Sequence, residues 1–375
     1  MLILNHNRKV NRVVFSKNGK EILSCSRDMS IKLCNKKSGK ELLVLNHDSG
    51  VNGVTFSKDE RLILSWSMDY TIRLWDKKSG KELLILKHNG SVRGAIFSKD
   101  ENEILSWSAD KVTVWNKKSS KELLVLKHNH QLVMGAIFSK DEKEILSWSK
   151  DQTVRLWDKK NGKELLVLKH DYWVNGAIFS KDEKEILSWS DDSTVRLWNK
   201  KSGKNLLILK HNRVVRGAIF SKNEKEILSW SNDNTVRLWN KKSGKELLVL
   251  KHNRAVRGAI FSKDENEILS WSYDKTVRLW DKQSGKELLV LKHNDYVVGA
   301  KYSKDEKEII YWTAEGEIKT YKLYRDRKLK KEFYPLKAEV ESGCTLTKSG
   351  EIRVLTKEEW EEKKRRYEEA LEESK

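Results

Sequence analysis

The chain is poor in cysteine and has no long apolar run. Its three cysteines, Cys25, Cys34 and Cys344, are an odd number without a Cys-x-x-Cys spacing. This argues against a disulfide framework and a zinc knuckle, and it fits a reducing compartment. No apolar stretch approaches the ~20 residues of a membrane-spanning helix, and the N-terminus lacks the regions of a signal peptide. We therefore expect a soluble, cytoplasmic protein without a membrane partner.

Sequence motifs for catalysis are also missing. The chain contains no GxxxxGK[ST], no GxGxxG after a strand, no HExxH and no GxSxG. Its recurring Ser-Gly-Lys belongs to a turn and lacks the helix of a phosphate-binding loop. Its histidines recur about every 41 residues, a spacing that does not form a metal site. The sequence thus predicts no enzyme, no cofactor and no metal.

Positive charge is in excess, with a net charge of +20. A basic balance is typical of proteins that bind nucleic acid or acidic partners. Most lysines, however, lie in uniform turns beside acidic neighbours, as they do on an ordinary solvated surface. Net charge taken alone favours the solvated surface.

The dominant feature of the chain is repetition. An acidic residue recurs every 41 residues and forms a lattice, which consists of Asp28, Asp69, Asp110, Asp151, Asp192, Asp233, Asp274 and Glu315. A fixed period in this range indicates one supersecondary unit used many times. In the fifth unit, turn residues separate four short apolar or alternating stretches, which are 174–179, 185–190, 194–198 and 206–209. Such a unit is a four-stranded β-meander.

Each complete unit carries a His before its first strand, an Asp in its second turn and a Trp at the end of its third strand. The fifth unit has His170, Asp192 and Trp198. This pattern resembles the WD40 family. The resemblance covers roughly residues 1–323 and implies a propeller, in which each sheet is one blade around a central channel. It also implies that His170, Ser188, Asp192 and Trp198 form a hydrogen-bonded structural staple, and recurrence in every complete unit argues against a catalytic role.

Some units depart from the pattern. Unit one has Cys34 in place of Trp, and unit eight has Glu315 and Tyr321 in place of Asp and Trp. Unit three is one residue short after Asp110, and unit four is one residue long after His128. Both length changes fall in loops of the same face.

The number of blades follows from the strands. Eight units supply three strands each, but only seven are followed by a fourth strand of the type Glu-Leu-Leu-Val-Leu. Residues 1–6 match 83–88, so we expect the N-terminal segment to complete the last blade and close the ring. Residues 331–336 compete for this place, but Pro335 cannot donate to a strand ladder and suits only an edge strand. The fold predicted for 1–323 is an all-β, eight-bladed propeller.

A C-terminal extension, 324–375, follows the repeats. Residues 324–330 are linker-like, 343–356 indicate a β-hairpin, and Thr356 with Glu359 forms a capping box for a helix through about Glu373. This helix either docks on the propeller or engages another chain, and the sequence leaves both open.

A tryptophan stands three positions before the lattice residue in seven units, and a glycine faces it across the first hairpin. Pairing at a constant index sum puts Gly217 opposite Trp230. Unit one has Arg12 and Cys25 at these positions, so the two positions change together. We interpret the pair as an indole that lies over a glycine and fills the space between blades, and not as a cofactor box.

The units differ from one another mainly at one rim. Variation is concentrated in the loops four-to-one and two-to-three and at the residue after the first-strand valine, which together we call the variable rim. The loops one-to-two and three-to-four form the uniform rim. Because drift alone would vary both rims, we interpret the variable rim as a selected binding surface. The candidate partner-binding residues are Arg93, Lys111, Lys150, Tyr172, Trp173, Asn175, Arg213, Arg216, Arg254, Arg257, Tyr273 and Tyr296.

The composition of this set indicates recognition, since Arg, Tyr and Trp dominate binding hot spots. The favoured function is a non-catalytic scaffold that binds a protein or peptide, preferably acidic, through the variable rim. The alternative is a nucleic-acid-binding propeller that uses the same basic and aromatic face. Nucleic-acid binding would weaken steeply and log-linearly with salt, which separates the two.

Overall fold

The computed structural model describes residues 3–109, 111–129, 131–323, 334–346 and 352–372. The chain divides into two compact units, Met1–Lys322 and Leu323–Lys375. Lattice residue Asp110, the expected linker 324–330, the tip of the expected hairpin and Glu373 lie outside the described residues.

The first unit is an eight-bladed propeller, as the sequence predicts. An N-terminal strand, β1 (Ile3–Asn5), precedes the first blade. Blades 1 to 4 follow in chain order. Their strands are β2 (Val10–Phe15), β3 (Glu21–Ser26), β4 (Ser30–Asn35), β5 (Glu41–Asn46), β6 (Val51–Phe56), β7 (Leu62–Ser67), β8 (Thr71–Asp76), β9 (Glu82–Lys87), β10 (Val92–Phe97), β11 (Glu103–Ser108), β12 (Lys111–Asn116), β13 (Glu122–Lys127), β14 (Val133–Phe138), β15 (Glu144–Ser149), β16 (Thr153–Asp158) and β17 (Glu164–Lys169).

Blades 5 to 7 repeat the same meander, and blade 8 has three strands of its own. The strands are β18 (Val174–Phe179), β19 (Glu185–Ser190), β20 (Thr194–Asn199), β21 (Asn205–Lys210), β22 (Val215–Phe220), β23 (Glu226–Ser231), β24 (Thr235–Asn240), β25 (Glu246–Lys251), β26 (Val256–Phe261), β27 (Glu267–Ser272), β28 (Thr276–Asp281), β29 (Glu287–Lys292), β30 (Val297–Tyr302), β31 (Glu308–Thr313) and β32 (Glu317–Lys322). First strands of neighbouring blades contact one another, so they line the centre of the ring.

The N-terminal strand closes the ring. Blade 8 has the order β1-β32-β31-β30, and β1 pairs with β32 in an antiparallel register that places Leu4 opposite Ile318. The backbone N–H of His6 extends this ladder to the carbonyl of Gly316 at 3.0 Å. The prediction of N-terminal closure is therefore confirmed. Pro335 of the competing segment lies in the first turn of a helix, where a missing N–H is tolerated.

The second unit contains α1 (Tyr334–Ser342), a hairpin of β33 (Cys344–Leu346) and β34 (Ile352–Val354), and α2 (Lys357–Glu372). The hairpin and the second helix agree with the sequence, whereas α1 was not predicted. The capping box of α2 is formed, since the Thr356 N–H donates to Glu359 at 2.9 Å and the Glu359 N–H donates to Thr356 Oγ1 at 3.2 Å. Trp360 ties the two helices together through an indole N–H bond to the Val340 carbonyl at 2.8 Å.

Each indole of the second strands lies over a glycine of the first strand. The register places Gly217 opposite Trp230, which confirms the predicted pairing. A Cβ at Gly217 would lie 1.9 Å from the indole Cζ2, so only glycine leaves room for the ring. The Trp230 ring packs against a buried cluster that includes Val256 and Ala259 of blade 7. The pair thus fills the space between two blades.

Trp230→Ala should lower the free energy of unfolding by about 3–5 kcal/mol, because truncating a packed indole leaves a cavity between blades 6 and 7. Gly217→Ala should also destabilise the protein, because its methyl group would overlap the same ring. Guanidinium unfolding midpoints of both variants and the wild type measure these effects. An unchanged midpoint for Trp230→Ala would contradict the packing role.

Candidate binding rim

The four proposed staple residues form one hydrogen-bonded chain. His170 Nδ1 lies 2.8 Å from Asp192 Oδ2, His170 Nε2 lies 2.7 Å from Ser188 Oγ, and the Trp198 indole N–H donates to Ser188 Oγ at 2.8 Å. These contacts are consistent with a neutral imidazole that donates from Nδ1 and accepts the serine proton at Nε2.

The staple joins two blades. His170 directly follows β17, the outer strand of blade 4, whereas Ser188, Asp192 and Trp198 belong to blade 5. The same contacts recur at the histidines that precede blades 2, 4, 6 and 7, which are His47, His128, His211 and His252. At blade 8 the pattern changes, since His293 Nε2 lies 3.0 Å from Glu317, and Tyr311 takes the place of the serine.

The lattice aspartate also fixes the second turn. Asp192 Oδ1 accepts hydrogen bonds from the Thr194 backbone N–H at 2.9 Å and from its hydroxyl at 2.6 Å. The next residue, Ser193, has a φ of +67°. Its equivalents at positive φ are Met29, Tyr70, Gln152, Asn234 and Lys275. None of these is β-branched, as the left-handed conformation requires, so this variable position accepts a bounded range of side chains.

A β-bulge presents the variable residue of the first strand. In blade 6, Val215 pairs with Ser231 and Gly217 with Trp230, so Arg216 has no partner in the ladder. The same register shift occurs in every blade. The index-sum rule therefore holds from Phe220 back to Gly217 and fails at Arg216, the residue before it. Bulges of this kind re-aim a side chain, here at a position that varies between blades.

A groove crosses the variable rim between blades 6 and 8 and reaches blade 1. Its cavity volume is about 610 Å³, and Lys9, Arg213, Arg254, Tyr273 and Tyr296 are among its walls. The remaining lining residues are three asparagines, two alanines and Val298. All of the lining residues except Asn253 are variable positions, and no carboxylate is among them. The groove is therefore built from the part of the sequence that differs between repeats.

Aromatic rings and cations alternate in this groove and directly beside it. The Tyr273 and Tyr296 rings lie 5.3 Å apart, and the Arg257 guanidinium lies 4.9 Å from the Tyr273 ring centre. Arg254 Nη1 donates to the Tyr296 hydroxyl at 3.4 Å. Burial lowers the pKa of Arg257, and the nearby Arg216 lowers it further.

A second aromatic group lies on blades 4 and 5. Tyr172 and Trp173 stack with ring centres 5.2 Å apart, and the Lys150 ammonium lies 3.8 Å from the Trp173 ring centre. Tyr172 is 47% exposed and Trp173 is 36% exposed. These rings offer a partner apolar area at a low cost in side-chain entropy.

Three sequence candidates are engaged within the propeller. Because unit three is one residue short, Lys111 begins β12 at the position that Thr194 has in blade 5, and its ammonium lies 3.5 Å from Glu122. The Asn175 amide nitrogen donates both of its hydrogens within the propeller, to Asp191 at 2.6 Å and to the carbonyl of Val215 in the next blade at 2.9 Å.

Arg216 is held more loosely, with its Nε 3.1 Å from Asn232 and its Nη1 3.7 Å from Asp191. Arg93 is exposed and lines a separate cavity of about 550 Å³ with Arg12 and Trp66. The surface available to a partner is therefore smaller than the sequence indicated.

The uniform rim has a structural reason for its uniformity, which the sequence argument missed. Glu183 of blade 5 sits at a φ of +56°, and its carboxylate accepts the backbone N–H of Lys140 in blade 4 at 2.6 Å. We call the residues that make this contact the clamp glutamates, which are Glu60, Glu101, Glu142, Glu183, Glu224, Glu265 and Glu306. Lys241 adds an ion pair to Glu185 of the preceding blade. These inter-blade contacts are a sufficient structural reason for this rim to stay constant, so its constancy is no evidence for selection at the other rim.

Among the described residues, no cluster of three or more His, Cys, Asp or Glu side chains could hold a metal ion. No helix in the described part of the chain is long and apolar enough to cross a membrane.

A family model described as WD domain, G-beta repeat matches residues 2–35, 39–76, 120–158, 162–199, 203–240 and 244–281. These segments make up more than half of the chain. The two repeats without a match are the third, which is one residue short, and the eighth, in which Glu315 and Tyr321 replace Asp and Trp.

Comparison with curated protein sequences gave no match. Among solved structures, the crystal structure of the computationally designed Ika8 protein aligns with a TM-score of 0.75 and 26% identity, over 85% of this chain and 98% of that chain. Because 1889 solved chains match, the likeness identifies an architecture and not an activity.

The staple makes stability depend on pH. Burial lowers the pKa of His170, and burial lowers that of His88 to about 4. Burial raises the pKa of Asp69, but hydrogen bonds from Thr71 and the contact with His47 outweigh it and lower this pKa to about 2. Since the folded state binds fewer protons than the unfolded chain, stability is complete above about pH 6.5 and falls with pH through these values.

We expect the guanidinium midpoint to decrease progressively between pH 7.5 and pH 4. Unfolding curves at constant ionic strength measure it. A midpoint that stays flat between pH 7 and pH 5 would show that the buried histidines do not contribute.

Proposed function

The chain belongs to the WD40 family, and on this premise we propose that it is a non-catalytic scaffold that binds a protein or peptide partner across its variable rim. The family is generally one of protein-interaction scaffolds. The observation that carries the proposal for this chain is the groove of about 610 Å³, whose walls are almost entirely variable positions. The groove thus gives this chain a surface whose chemistry differs from one blade to the next.

The chemistry of the groove supports an acidic partner. Lys9, Arg213 and Arg254 line it without a carboxylate among the lining residues. Burial lowers the pKa of Lys9, and the nearby cations Arg27 and Arg257 lower it further. A partner carboxylate would relieve this repulsion and accept charge-assisted hydrogen bonds.

The two aromatic groups supply the apolar part of the proposed interface. Tyr273 and Tyr296 lie in the groove, whereas Tyr172 and Trp173 lie on blades 4 and 5. Aromatic and arginine anchors of this kind account for most of the energy of typical interfaces. A partner that contacts both groups would extend across the rim.

The proposal includes a cytoplasmic location. Cys25, Cys34 and Cys344 are free thiols, and the first two are buried. Burial raises the pKa of Cys25 to about 12, which keeps this thiol protonated and unreactive. Free thiols suit a reducing compartment.

Charge reversal of the groove tests the proposal. In Arg213→Glu with Arg254→Glu, loss of two exposed cations should weaken capture of the partner by about tenfold or more. The intact chain serves as bait, and quantitative mass spectrometry compares the proteins retained by each variant. Arg61→Glu is the matched control, because its side chain is 84% exposed in a loop of the uniform rim.

At least one protein should be retained by the wild type and by Arg61→Glu and lost by the double variant. The same retained proteins for all three would overturn the proposal. Filter binding at low salt tests the alternative that the chain binds nucleic acid. No observation in the structure favours this alternative over a protein partner. If nucleic-acid affinity fell log-linearly with salt concentration and binding were lost in the double variant, the partner would be a nucleic acid and not a protein.

A further inference from the structure

The clamp glutamates leave one junction unfilled. Seven junctions between consecutive blades hold a glutamate carboxylate against the backbone N–H of a lysine in the preceding blade, as Glu306 of blade 8 does for Lys263 of blade 7 at 2.5 Å. Between blade 8 and blade 1, Gly19 stands where the clamp glutamate would be. We call this junction the seam.

The backbone of the seam matches the other junctions. Gly19 has a φ of +69°, and Glu60 has +60° in the equivalent turn. The Gly19 N–H bonds to the Ser16 carbonyl at 2.9 Å, as the Glu60 N–H does to Ser57 at 3.0 Å. Lys304 donates its ammonium to the Lys17 carbonyl at 2.8 Å, so the two loops also approach each other normally. Only the carboxylate is missing.

The space of the missing side chain is open. A Cβ at Gly19 would meet no atom within 4 Å. A cavity of about 370 Å³ lies here, lined by Phe15, Gly19, Lys36 and Lys304 together with Asn18, Ser303 and Asp305. Asp305 is already engaged by the Ser303 hydroxyl at 2.7 Å. Within the part of the chain that the structure describes, no acceptor takes the Lys304 backbone N–H.

The charged and hydrogen-bonding groups at a junction that has its clamp glutamate indicate what the cavity at the seam would bind. At the junction of blades 5 and 6, the clamp Glu224 receives the Lys181 N–H at 2.5 Å, and Lys241 lies 4.0 Å from its other oxygen. Lys36 stands in the place of Lys241 at the seam and lines the cavity. At the seam the Lys36 ammonium already pairs with Glu308 of blade 8, as Lys241 pairs with Glu185 at the filled junction. One backbone donor, beside this paired lysine, therefore remains there for a carboxylate from outside the propeller.

We propose that the seam is a docking slot for a glutamate side chain of a partner chain, which completes the eighth junction as the clamp glutamates complete the other seven. The slot lies on the uniform rim, so it is a second interaction surface, independent of the variable rim. It takes a carboxylate on a short flexible stem, because that is the group that fills the same space seven times in this chain.

The test follows the Lys304 amide by ¹⁵N-TROSY spectroscopy of the full chain. The probe is propionate, which has the atoms of a glutamate side chain, and it replaces chloride at constant ionic strength. The Lys304 amide proton should move downfield and saturate, since a carboxylate deshields the donor. Propionamide, a neutral analogue, should produce a much smaller shift. Equal shifts with both, or none with propionate, would overturn the proposal.

Two variants localise the effect. Gly19→Glu supplies the carboxylate internally, so its Lys304 amide should no longer respond to propionate, and its melting temperature should exceed that of the neutral control Gly19→Gln. Glu60→Gly empties the junction between blades 1 and 2, so the Lys17 amide should begin to respond. A Lys304 response that persists in Gly19→Glu would exclude the slot.

A third measurement distinguishes a partner side chain from a free small acid. The tripeptide acetyl-Gly-Glu-Gly-amide should saturate the Lys304 shift at a lower concentration than propionate, because its backbone contacts the rim. Saturation of both at the same concentration would overturn the assignment to a partner chain and leave a site for free carboxylates.

Discussion

The hydrogen bonds from His170 through Ser188 to Trp198 are the contacts on which the ring most depends, because they begin after the last strand of one blade and end in the next. Each four-stranded sheet has two faces to shield from water. It buries them against the neighbouring blades, which must be held at a fixed distance. The staple sets that distance, and the Trp230 indole fills it. Asp192 belongs to the same network and holds the second turn, so the residues beside it can differ within the range that the backbone conformation allows.

The uniform rim and the variable rim differ in how far their side chains contribute to contacts between blades. On the uniform rim, side chains reach from one blade to the backbone of the next, as Glu183 reaches Lys140, and substitution there would loosen the ring. On the variable rim most side chains end in solvent or on one another, as Tyr273 does against Arg257. Asn175 shows that the division is not complete, since it lies among variable residues and yet bonds to the next blade.

Much of the fold could be predicted from the sequence, because it depends on side chains that recur at a fixed spacing. The blade number, the closing strand and the pairing of Gly217 with Trp230 are of this kind. The contacts that were missed involve backbone atoms. The partner of a clamp glutamate is an N–H, which any residue carries, and the bulge at Arg216 leaves no mark on residue identity. Lys111 was misplaced because a one-residue deletion moved it from a loop into a strand.

The closure of blade 8 has a consequence for how the chain reaches its fold. β1 and β32 lie at opposite ends of the propeller sequence, so their pairing must close a loop that contains all the other blades. The entropy of closing so long a loop grows slowly with length, and each doubling costs only about 0.6 kcal/mol. The pairing of β1 with β32 is limited by its rate, because long-range strand pairing is slow and other strands can compete for the same edge in the meantime. Until it occurs, β32 presents an open edge, and the N-terminal strand of a second molecule carries the same residues that complete it.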